Sequence, residues 1–274
     1  MLVTCDYQIS DFCKIEYDLT KSGLYQNKKR NNGKYRCKYC AISATHEGSK
    51  SHFFKNYKIE HSFFKNIDNE IKAYLLGVIA GDGHVSRKNI EVCANLKDVE
   101  TLELIKSNLA SDVPIRPKKQ SNCSFIKFTS KEMSKDICKH LKIKPGKKSD
   151  KIQLPNLSTK LKGHFIRGLM DTDGCIDNPS KSTCPRCYYS SSSSKMRDDI
   201  QKWAKDKNIK TYQSGIKVYF VGKNAFQFMN EIYKNNNFSL SRKKEYYEVW
   251  KTWKSYEGTS LKPTKRKANR NNNE

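Results

Sequence analysis

The chain has few acidic residues for its length, and it has no long hydrophobic run. Only 28 Asp and Glu residues accompany 53 Lys and Arg residues among 274, which gives a formal net charge of +25 at pH 7. A positive excess of this size indicates a polyanionic partner such as nucleic acid. The longest apolar stretch, residues 73–81, is too short to cross a bilayer, so no membrane partner is expected.

A secretory signal is not expected either. Residues 1–12 contain acidic side chains and no apolar core of the length that a signal peptide needs. We therefore expect the chain to work inside a cell, although the sequence does not distinguish an organelle, the nucleus, the cytoplasm or a viral origin. In such a compartment, the ten cysteines indicate metal binding rather than disulfide bonds.

The most informative feature that is present is a motif that occurs twice. Leu75–Gly83 and Ile166–Gly174 each contain an apolar run with a small residue in the middle, and each ends on an aspartate followed by glycine. The two aspartates, Asp82 and Asp173, are 91 residues apart. A motif repeated in this way indicates that one catalytic half is present twice in a single polypeptide.

The spacing within each motif predicts two helices in close contact. The apolar residues recur at the spacing of one helix face. Gly77 and Gly81 lie four residues apart, as do Gly168 and Thr172, and residues at this spacing stack on one side of a helix. Because this row has no bulky side chain, it lets a second helix come unusually close.

The end of each motif predicts a metal site. Gly83 and Gly174 stand where a helix would end, a usual place for a glycine in the left-handed conformation. Asp82 and Asp173 then lie at the C-terminal ends of the helices, where negative charge is unfavourable unless a cation compensates it. Two such carboxylates are suited to a divalent metal with oxygen ligands. Ordinary capping aspartates are the alternative, which the repetition disfavours.

The repeat continues between the motifs. Residues 124–130 have a counterpart in residues 214–220, and Lys127 and Lys217 follow their aspartates by 45 and 44 residues. Both segments alternate as strands do. Amphipathic helices are predicted at residues 99–109, 131–141, 196–205 and 224–233, and a serine run can cap the third. The predicted class is α+β, in which each half has an antiparallel sheet that can face a ligand.

These motifs and their surroundings resemble the LAGLIDADG homing endonucleases. Residues 67–74 resemble the family's entry into the first motif. The segments 147–149, 154–155 and 164–168 are similar to the entry into the second, and residues 240–244 resemble the basic signature that closes the second half. The resemblance covers residues 67–253. It implies a pseudo-twofold pair of αββαββα-like halves that form a DNA-binding saddle of antiparallel sheets.

The resemblance also implies a function. It predicts a monomeric, site-specific endonuclease for intron homing that cuts both strands of DNA at a long recognition site. Mg²⁺ or Mn²⁺ would be held by Asp82 and Asp173. Related folds also serve as RNA maturases that assist intron splicing, or as DNA-binding regulators that do not cleave. A regulator is expected to lose at least one of the aspartates, whereas a maturase can keep both.

Further site residues follow from the resemblance and from the spacing. A catalytic lysine is expected late in each half, at Lys148 or Lys151 and at Lys243 or Lys244, and the similar spacing from the aspartates favours Lys148 and Lys243. The expected metal ligands are Asp82, Asp173, Gly81 and Thr172. The residues expected to contact DNA are Lys127, Lys217, Lys151 and Arg87. Asp171 is expected to be a helix-end residue rather than a ligand.

Four cysteines precede the repeat and predict a structural Zn²⁺ site. Cys37 and Cys40 form a CxxC pair whose two-residue gap lets both thiolates reach one tetrahedral zinc. Cys5 and Cys13 make a looser second pair, in which His46, His52 or His61 is an alternative ligand. The basic segment 21–36 has too little apolar content to fold without such a staple. Free thiols are the alternative interpretation.

The other cysteines carry less weight. Cys184 and Cys187 also form a CxxC pair, near Cys175, but the first half has no equivalent, so loop or strand cysteines are favoured over a second zinc site. Cys93, Cys123 and Cys138 fall within periodic segments and are expected to be core or half-buried residues.

The predicted organisation has five parts. Residues 1–50 form a zinc-binding module that contacts DNA, and residues 51–66 form a linker with two Phe-Phe-Lys-Asn repeats. Residues 67–157 and 158–257 are the two halves. Residues 258–274 form a basic tail that is expected to be disordered until it meets nucleic acid.

Overall fold

The computed structural model describes residues 2–6, 8, 13, 16–38, 40–41, 57–119, 121–234 and 237–252. Its contacts divide the chain into two compact units, Met1–Tyr57 and Lys58–Glu274. Several predictions lie outside the described residues: the alternative ligands His46 and His52, the first Phe-Phe-Lys-Asn repeat at Phe53–Asn56, and the basic tail. The boundaries predicted for the five parts of the chain stay predictions.

The first unit is small and is organised around cysteines. Strand β1 (Leu2–Val3) pairs antiparallel with β2 (Tyr17–Asp18), and helix α1 (Lys21–Arg30) follows. The helix begins where the Thr20 side chain accepts a hydrogen bond from the Gly23 N–H at 3.1 Å, a standard N-cap. The buried core consists of Cys5, Tyr35, Cys37 and Cys40, with a few partly buried apolar residues against it. Such a core is too small to stabilise a domain by apolar burial alone.

The second unit contains two halves with the same order of elements, apart from an additional helix at the end of the second half. In the first half these are α2 (Glu70–Asp82), β3 (Gly83–Val85), β4 (Asn89–Asn95), α3 (Glu100–Leu109), β5 (Arg116–Pro117), β6 (Cys123–Thr129) and α4 (Lys131–Leu141). In the second half they are α5 (Thr159–Asp173), β7 (Gly174–Ile176), β8 (Arg186–Ser190), α6 (Ser194–Lys205), β9 (Tyr212–Ser214), β10 (Lys217–Val221), α7 (Lys223–Tyr233) and α8 (Ser241–Trp250).

Each half folds a four-stranded antiparallel sheet, in the order β3-β4-β6-β5 or β7-β8-β10-β9. Along the central strands, buried residues alternate with open ones, and the buried ones pack against helices of the same half. The predicted α+β class with two antiparallel sheets is therefore confirmed. The helices fall close to the predicted ranges, and Ser193 of the serine run caps α6 through the Met196 N–H. Among the described helices, none is long and apolar enough to span a bilayer.

Helices α2 and α5 pack directly against each other, as the small residues predict. A Cβ atom at Gly77 would collide with the carbonyl oxygen of Phe165, and one at Gly168 would collide with that of Tyr74. A Cβ at Gly81 would collide with the Thr172 side chain. Because two of these three collisions involve backbone atoms, which cannot rotate away, the helix backbones are in contact along this seam and only glycine fits.

The prediction of a left-handed conformation for the glycines at the motif ends is wrong. Gly83 has φ −82° and Gly174 has φ −91°, both extended, because each motif helix leads directly into a strand. Glycine is needed there for space instead. A Cβ at Gly83 would lie 2.5 Å from the Ile79 carbonyl oxygen, and one at Gly174 would lie 2.6 Å from that of Met170.

The predicted equivalence of Lys127 and Lys217 is also wrong, by two residues. Lys127 pairs with Glu91, which pairs with His84, two residues after Asp82. In the second half, the residues in those places are Tyr219, Tyr188 and Cys175. Lys127 therefore corresponds to Tyr219. The helices after the strands give the same alignment, since their N-caps, Ser130 and Gly222, each follow these residues by three positions.

Candidate active site and cysteine cluster

The two motif aspartates come from different halves and lie at the same end of the helix seam. Asp82 is the last residue of α2, and Asp173 is the last residue of α5. A Cβ atom at Gly81 would lie 3.2 Å from Oδ2 of Asp173, which places that carboxylate beside the residue before Asp82. Both side chains are exposed to solvent, so a ligand has access to them.

The surroundings of the aspartates favour their neutral forms. Partial desolvation, followed by repulsion from Asp173, raises the pKa of Asp82 to about 6. Desolvation likewise raises the pKa of Asp173. Lys148 and Lys243 act in the opposite direction at both carboxyl groups. Two nearby carboxylates are difficult to ionise together, and a bound cation would relieve this repulsion.

Lys148 and Lys243 are buried at the ends of the motif helices. The Nζ atom of Lys148 donates hydrogen bonds to the carbonyl oxygens of Ala80 and Gly81, the latter at 2.7 Å. The Nζ atom of Lys243 donates to the carbonyls of Met170, Asp171 (2.9 Å) and Gly174 (2.7 Å). Each lysine therefore caps carbonyl groups that a helix end leaves without partners. The alternative Lys151 is exposed.

Burial lowers the pKa of both capping lysines. The neighbouring aspartates oppose this effect: Asp173 and Asp82 raise the pKa of Lys148, and Asp171 raises that of Lys243. Each half thus contributes one carboxylate and one ammonium group to the site, and hydrogen bonds to the end of a motif helix hold each ammonium group in place.

The other two expected metal ligands have hydrogen-bonding partners within the protein. The Gly81 carbonyl accepts the bond from Lys148. The Thr172 hydroxyl donates to the carbonyls of Gly168 and Leu169 at 3.1 Å, so it bonds back to its own helix. Among the expected ligands, the two aspartates are exposed, whereas Gly81 and Thr172 are half-buried.

Asp171 has a role that the sequence did not reveal. It is 5% exposed, and it accepts hydrogen bonds from the hydroxyls of Tyr74 (2.9 Å) and Tyr233 (2.6 Å) and from the Leu240 N–H (2.8 Å). Burial raises its pKa. Asp171 therefore ties α5 to α2, to α7 and to the segment before α8. The available signal was an asymmetry, since the first motif has Ala80 at this position.

Arg167 extends this buried network. Its guanidinium donates to the Ile232 carbonyl at 2.8 Å, lies 2.9 Å from Nδ1 of His164, and stacks over the rings of Tyr74 and Phe238. Burial lowers the pKa of His164, and the charge of Arg167 lowers it further, which favours a neutral imidazole as acceptor. Arg167 and Asp171 together hold the two halves in one arrangement around the seam.

The residues expected to contact DNA are all accessible. Lys127 lies on the open face of its sheet and forms an ion pair with Glu91 at 3.0 Å. Lys217 lies on the open face of the second sheet, with Nζ 4.4 Å from the centre of the Tyr188 ring. Arg87 is exposed in the turn between β3 and β4, and Lys151 is exposed in a loop.

The four N-terminal cysteines form one cluster. The sulfur atoms of Cys5, Cys13, Cys37 and Cys40 all lie within 4.8 Å of one another. Sulfur ligands about 2.3 Å from a tetrahedral zinc lie about 3.8 Å apart, and Cys13 and Cys37 are separated by 3.7 Å. Backbone N–H groups point at two sulfurs, from Cys37 to Cys5 and from Cys40 to Cys37, both at 3.3 Å. This geometry fits a tetrahedral metal.

The thiols of the cluster differ in acidity. Although burial opposes it, hydrogen bonds from Tyr17 and from the Cys40 N–H lower the pKa of Cys37 to about 6. Burial raises the pKa of Cys13 to about 12. Of the alternative ligands, His61 lies in the other unit and bonds the Ser130 hydroxyl at 2.8 Å. Within the described residues, the cluster consists of four cysteines without histidine.

The remaining cysteines are placed as predicted. Cys187 is fully buried in β8, and Cys184 lies before it with its sulfur 3.7 Å from the Pro185 carbonyl. In the part of the chain that the structure describes, no second group of metal-ligating side chains forms around them. Cys138 is buried, and Cys93 and Cys123 are half-buried.

Comparison with known proteins gives one family match. Residues 160–217 match the model of the LAGLIDADG-like domain. The match lies in the second half, from the start of α5 to the start of β10, and it includes Asp173. A comparison with curated proteins finds no match.

Several solved structures are similar at low identity. I-DmoI in complex with DNA and Ca is 15% identical with a TM-score of 0.47, over 66% of this chain and 97% of that one. The I-SmaMI LAGLIDADG homing endonuclease bound to cleaved DNA is 12% identical with a TM-score of 0.44, over 67% and 88%. Full-length DUF199/WhiA from Thermatoga maritima is 18% identical with a TM-score of 0.46, over 73% and 66%.

Proposed function

We propose that this chain is a site-specific DNA endonuclease of the homing type, which cuts both strands with the help of a divalent metal. One observation carries the proposal: Asp82 and Asp173, contributed by two similar halves, lie together and exposed at the end of the α2–α5 seam. Since both aspartates belong to one polypeptide, we infer that a monomer is sufficient for cleavage.

The two carboxylates fit a hard divalent cation. Partial desolvation raises the pKa of both, repulsion from Asp173 adds to this effect at Asp82, and both side chains are open to solvent. Mg²⁺ or Mn²⁺ bound there would activate water and stabilise the leaving oxygen of a phosphodiester. Lys148 and Lys243 hold the helix ends that carry the carboxylates, and they keep positive charge where a phosphate would lie.

The sheets supply the surface for double-stranded DNA. One face of each sheet packs against helices, and the other face is open to solvent. The open faces carry side chains such as Lys127, Arg186 and Lys217. Two-stranded antiparallel ribbons fit the major groove, where each base pair shows a distinct pattern of donors and acceptors. The net charge of +25 supports phosphate contacts along the duplex.

The proposal is tested by incubating the full chain with a randomised duplex library and Mg²⁺ and sequencing the ends that are produced. We expect recurrent double-strand ends at one sequence. Asp82→Asn or Asp173→Asn is expected to abolish cleavage of at least one strand while binding persists, because affinity comes mostly from phosphates and base edges. Asp198→Asn, an exposed aspartate on α6, is the matched control. A wild-type rate of double-strand cleavage by either active-site variant would contradict the assignment.

The same experiment separates an endonuclease from a non-cleaving regulator, whereas a maturase needs a splicing assay. A DNA-binding regulator would bind one sequence of the library without cutting it. The presence of both motif aspartates argues against this function. A maturase activity is compatible with both aspartates, and it would appear as faster splicing of a host intron.

We also propose that the N-terminal cysteines bind one structural Zn²⁺. The four sulfurs with tetrahedral spacing support this assignment. Metal analysis of the full chain, purified under reducing conditions without chelator, is expected to give about one zinc per chain. Cys40→Ser should lose it, whereas Cys123→Ser, a half-buried cysteine of the second unit, should keep it. Zinc far below one equivalent in the unaltered chain would overturn the proposal.

The zinc module offers a surface for DNA that flanks the cut site. One face of α1 points inward, since Leu24 packs on the cysteine core and Asn27 exchanges hydrogen bonds with both backbone groups of Arg36, at 2.8 and 2.9 Å. Other side chains of the helix are exposed and mostly basic, among them Lys21, Tyr25, Lys28 and Lys29. Lysines at this spacing can follow a phosphate backbone.

A further inference from the structure

The open faces of the two sheets differ in chemistry at equivalent positions. In the first half, His84, Glu91 and Lys127 lie side by side across β3, β4 and β6, and we call them the polar row. In the second half, Cys175, Tyr188, Tyr219 and Tyr212 lie side by side across β7, β8, β10 and β9, and we call them the tyrosine row. Each row starts two residues after a motif aspartate, so the rows lie at equivalent distances from the cutting site.

The polar row contains a donor and an acceptor held together. Nζ of Lys127 lies 3.0 Å from Oε2 of Glu91, and their side chains are 52% and 31% exposed. In the major groove, guanine presents two acceptors, O6 and N7, and its partner cytosine presents the N4 amino donor. A lysine beside a glutamate therefore matches both bases of one G·C pair, with the lysine over guanine and the glutamate over cytosine.

The tyrosine row carries no charged side chain. Tyr212 and Tyr219 stack with their ring centres 4.8 Å apart and nearly parallel, and Tyr188 and Tyr219 lie 5.3 Å apart. The rings of Tyr212 and Tyr219 face each other, the Tyr188 ring is tilted by 48° relative to Tyr219, and Lys217 lies over the Tyr188 ring. The ring edges and hydroxyl groups are therefore what the row offers to a ligand. In the major groove, an apolar edge is complementary to the methyl group of thymine.

We propose that the two halves read equivalent base pairs differently, with the polar row selecting G·C and the tyrosine row selecting A·T through the thymine methyl group. This inference rests on the proposed function, since it assigns the readout of the same DNA. It predicts a target whose two half-sites differ in base composition at positions equally distant from the cut.

The test starts from the duplex recovered in the cleavage experiment. Each base pair is replaced in turn, and binding by the full chain is measured without divalent metal. The wild type is expected to prefer G·C at one position and A·T at the equivalent position of the other half-site. Each replacement should weaken affinity by about 5-fold or more, which is the lower limit for the loss of one good base contact. Replacing that thymine by deoxyuridine should weaken binding about 4-fold, which corresponds to ~0.8 kcal/mol for one methyl group.

Two matched double variants assign the preference to the rows. Tyr188→Glu with Tyr219→Lys places the first-half pair in the second half, and it should change the preference there from A·T to G·C. Tyr188→Lys with Tyr219→Glu has the same composition with donor and acceptor exchanged, so it should select C·G. Neither should alter the preference in the other half-site. The reciprocal variant, Glu91→Tyr with Lys127→Tyr, should convert the first position to A·T.

The outcomes separate the inference from the proposed function. If a duplex is cut but both positions prefer the same base pair, or the double variants leave the preferences unchanged, the inference is wrong and the endonuclease assignment stands. If the deoxyuridine substitution has no effect on the wild type, the thymine readout is wrong irrespective of any variant's folding. If no duplex is recovered at all, the proposed function and the inference fail together.

Discussion

At the residue scale, the helix ends at the candidate active site favour the two lysines and disfavour the two aspartates. A carboxylate at a helix C-terminus faces carbonyl oxygens and is destabilised by them. Lys148 and Lys243 neutralise those carbonyls by donating to them directly, and the same ammonium groups lower the pKa of both aspartates. The aspartates remain partly frustrated in the metal-free protein, which suits a site that binds a cation.

This frustration predicts the pH dependence of stability without metal. The pKa of Asp82 is about 6 in the folded chain and 3.8 in its ordinary state. The folded protein therefore binds more protons between these pH values, so its stability falls as pH rises through this window. Asp82→Asn should raise the melting temperature in EDTA at pH 7 by about 2–4 °C, since solvent screening reduces the gain to roughly 1 kcal/mol. The gain should shrink at pH 5, where Asp82 is mostly protonated.

The control for this prediction is Asp198→Asn, which should leave the melting temperature nearly unchanged at both pH values. A lower melting temperature of Asp82→Asn at pH 7 in EDTA would show that the Asp82 carboxylate is stabilising in the absence of metal. That result would contradict desolvation and repulsion from Asp173 as the dominant influences on this carboxylate.

The two lysine candidates of the first half are distinguished by stability. Lys148 is 8% exposed and donates to two carbonyls, whereas Lys151 is exposed. Lys148→Met should destabilise the protein by about 1–3 kcal/mol, because it leaves buried acceptors without a partner. Lys151→Met should change stability by less than about 0.5 kcal/mol. Urea titration followed by circular dichroism measures both, and equal effects would remove the capping role of Lys148.

At the element scale, the α2–α5 seam depends on glycine. A Cβ at Gly77 would collide with the Phe165 backbone, so even alanine requires the two helices to separate. Gly163 lies in the other helix of the pair, α5, and the atoms nearest to a Cβ there would lie 3.7 and 4.0 Å away, which is ordinary van der Waals contact. The same substitution at the two positions therefore isolates the effect of the seam from helix propensity.

We expect Gly77→Ala to destabilise the protein by about 1–3 kcal/mol or more, the usual effect of overpacking a tight core. Gly163→Ala should stabilise it by up to about 1 kcal/mol, because alanine favours the helix. Thermal unfolding of both variants is the measurement. A melting temperature of Gly77→Ala equal to or above that of the unaltered chain would contradict the close packing of the seam.

Elements with a local signal were predictable from the sequence, and contacts between distant elements were not. The motif helices and their small-residue seam follow from spacing, and α4 was predicted with its observed bounds. The strand equivalence was off by two residues because alternation alone does not fix register. The glycines at the motif ends are extended because each helix leads directly into a strand. The hydrogen bonds of Asp171 were not predictable from local sequence, because their donors Tyr233 and Leu240 lie 62 and 69 residues away.

At the scale of the whole molecule, the chain combines two basic units that differ in what stabilises them. The second unit buries many large apolar side chains, whereas the first has a small core built around four cysteines. Because the first unit buries little apolar surface, we expect it to depend on the proposed Zn²⁺ for folding, so that the cysteine cluster determines whether α1 is presented at all. The exposed face of α1 can then add affinity without taking part in cleavage.

This division of roles predicts a selective loss of binding. Replacing Lys21, Lys28 and Lys29 by alanine should weaken affinity for the target duplex and flatten its salt dependence, since each lost phosphate contact removes about 0.9 from the log–log slope. Cleavage at saturating protein should persist, because Asp82 and Asp173 lie in the other unit. The matched control replaces three exposed lysines of the second unit that lie on helices outside the sheet faces, Lys131, Lys135 and Lys205. An unchanged slope in the α1 variant, with zinc content intact, would assign the module to folding or to a protein partner instead of DNA.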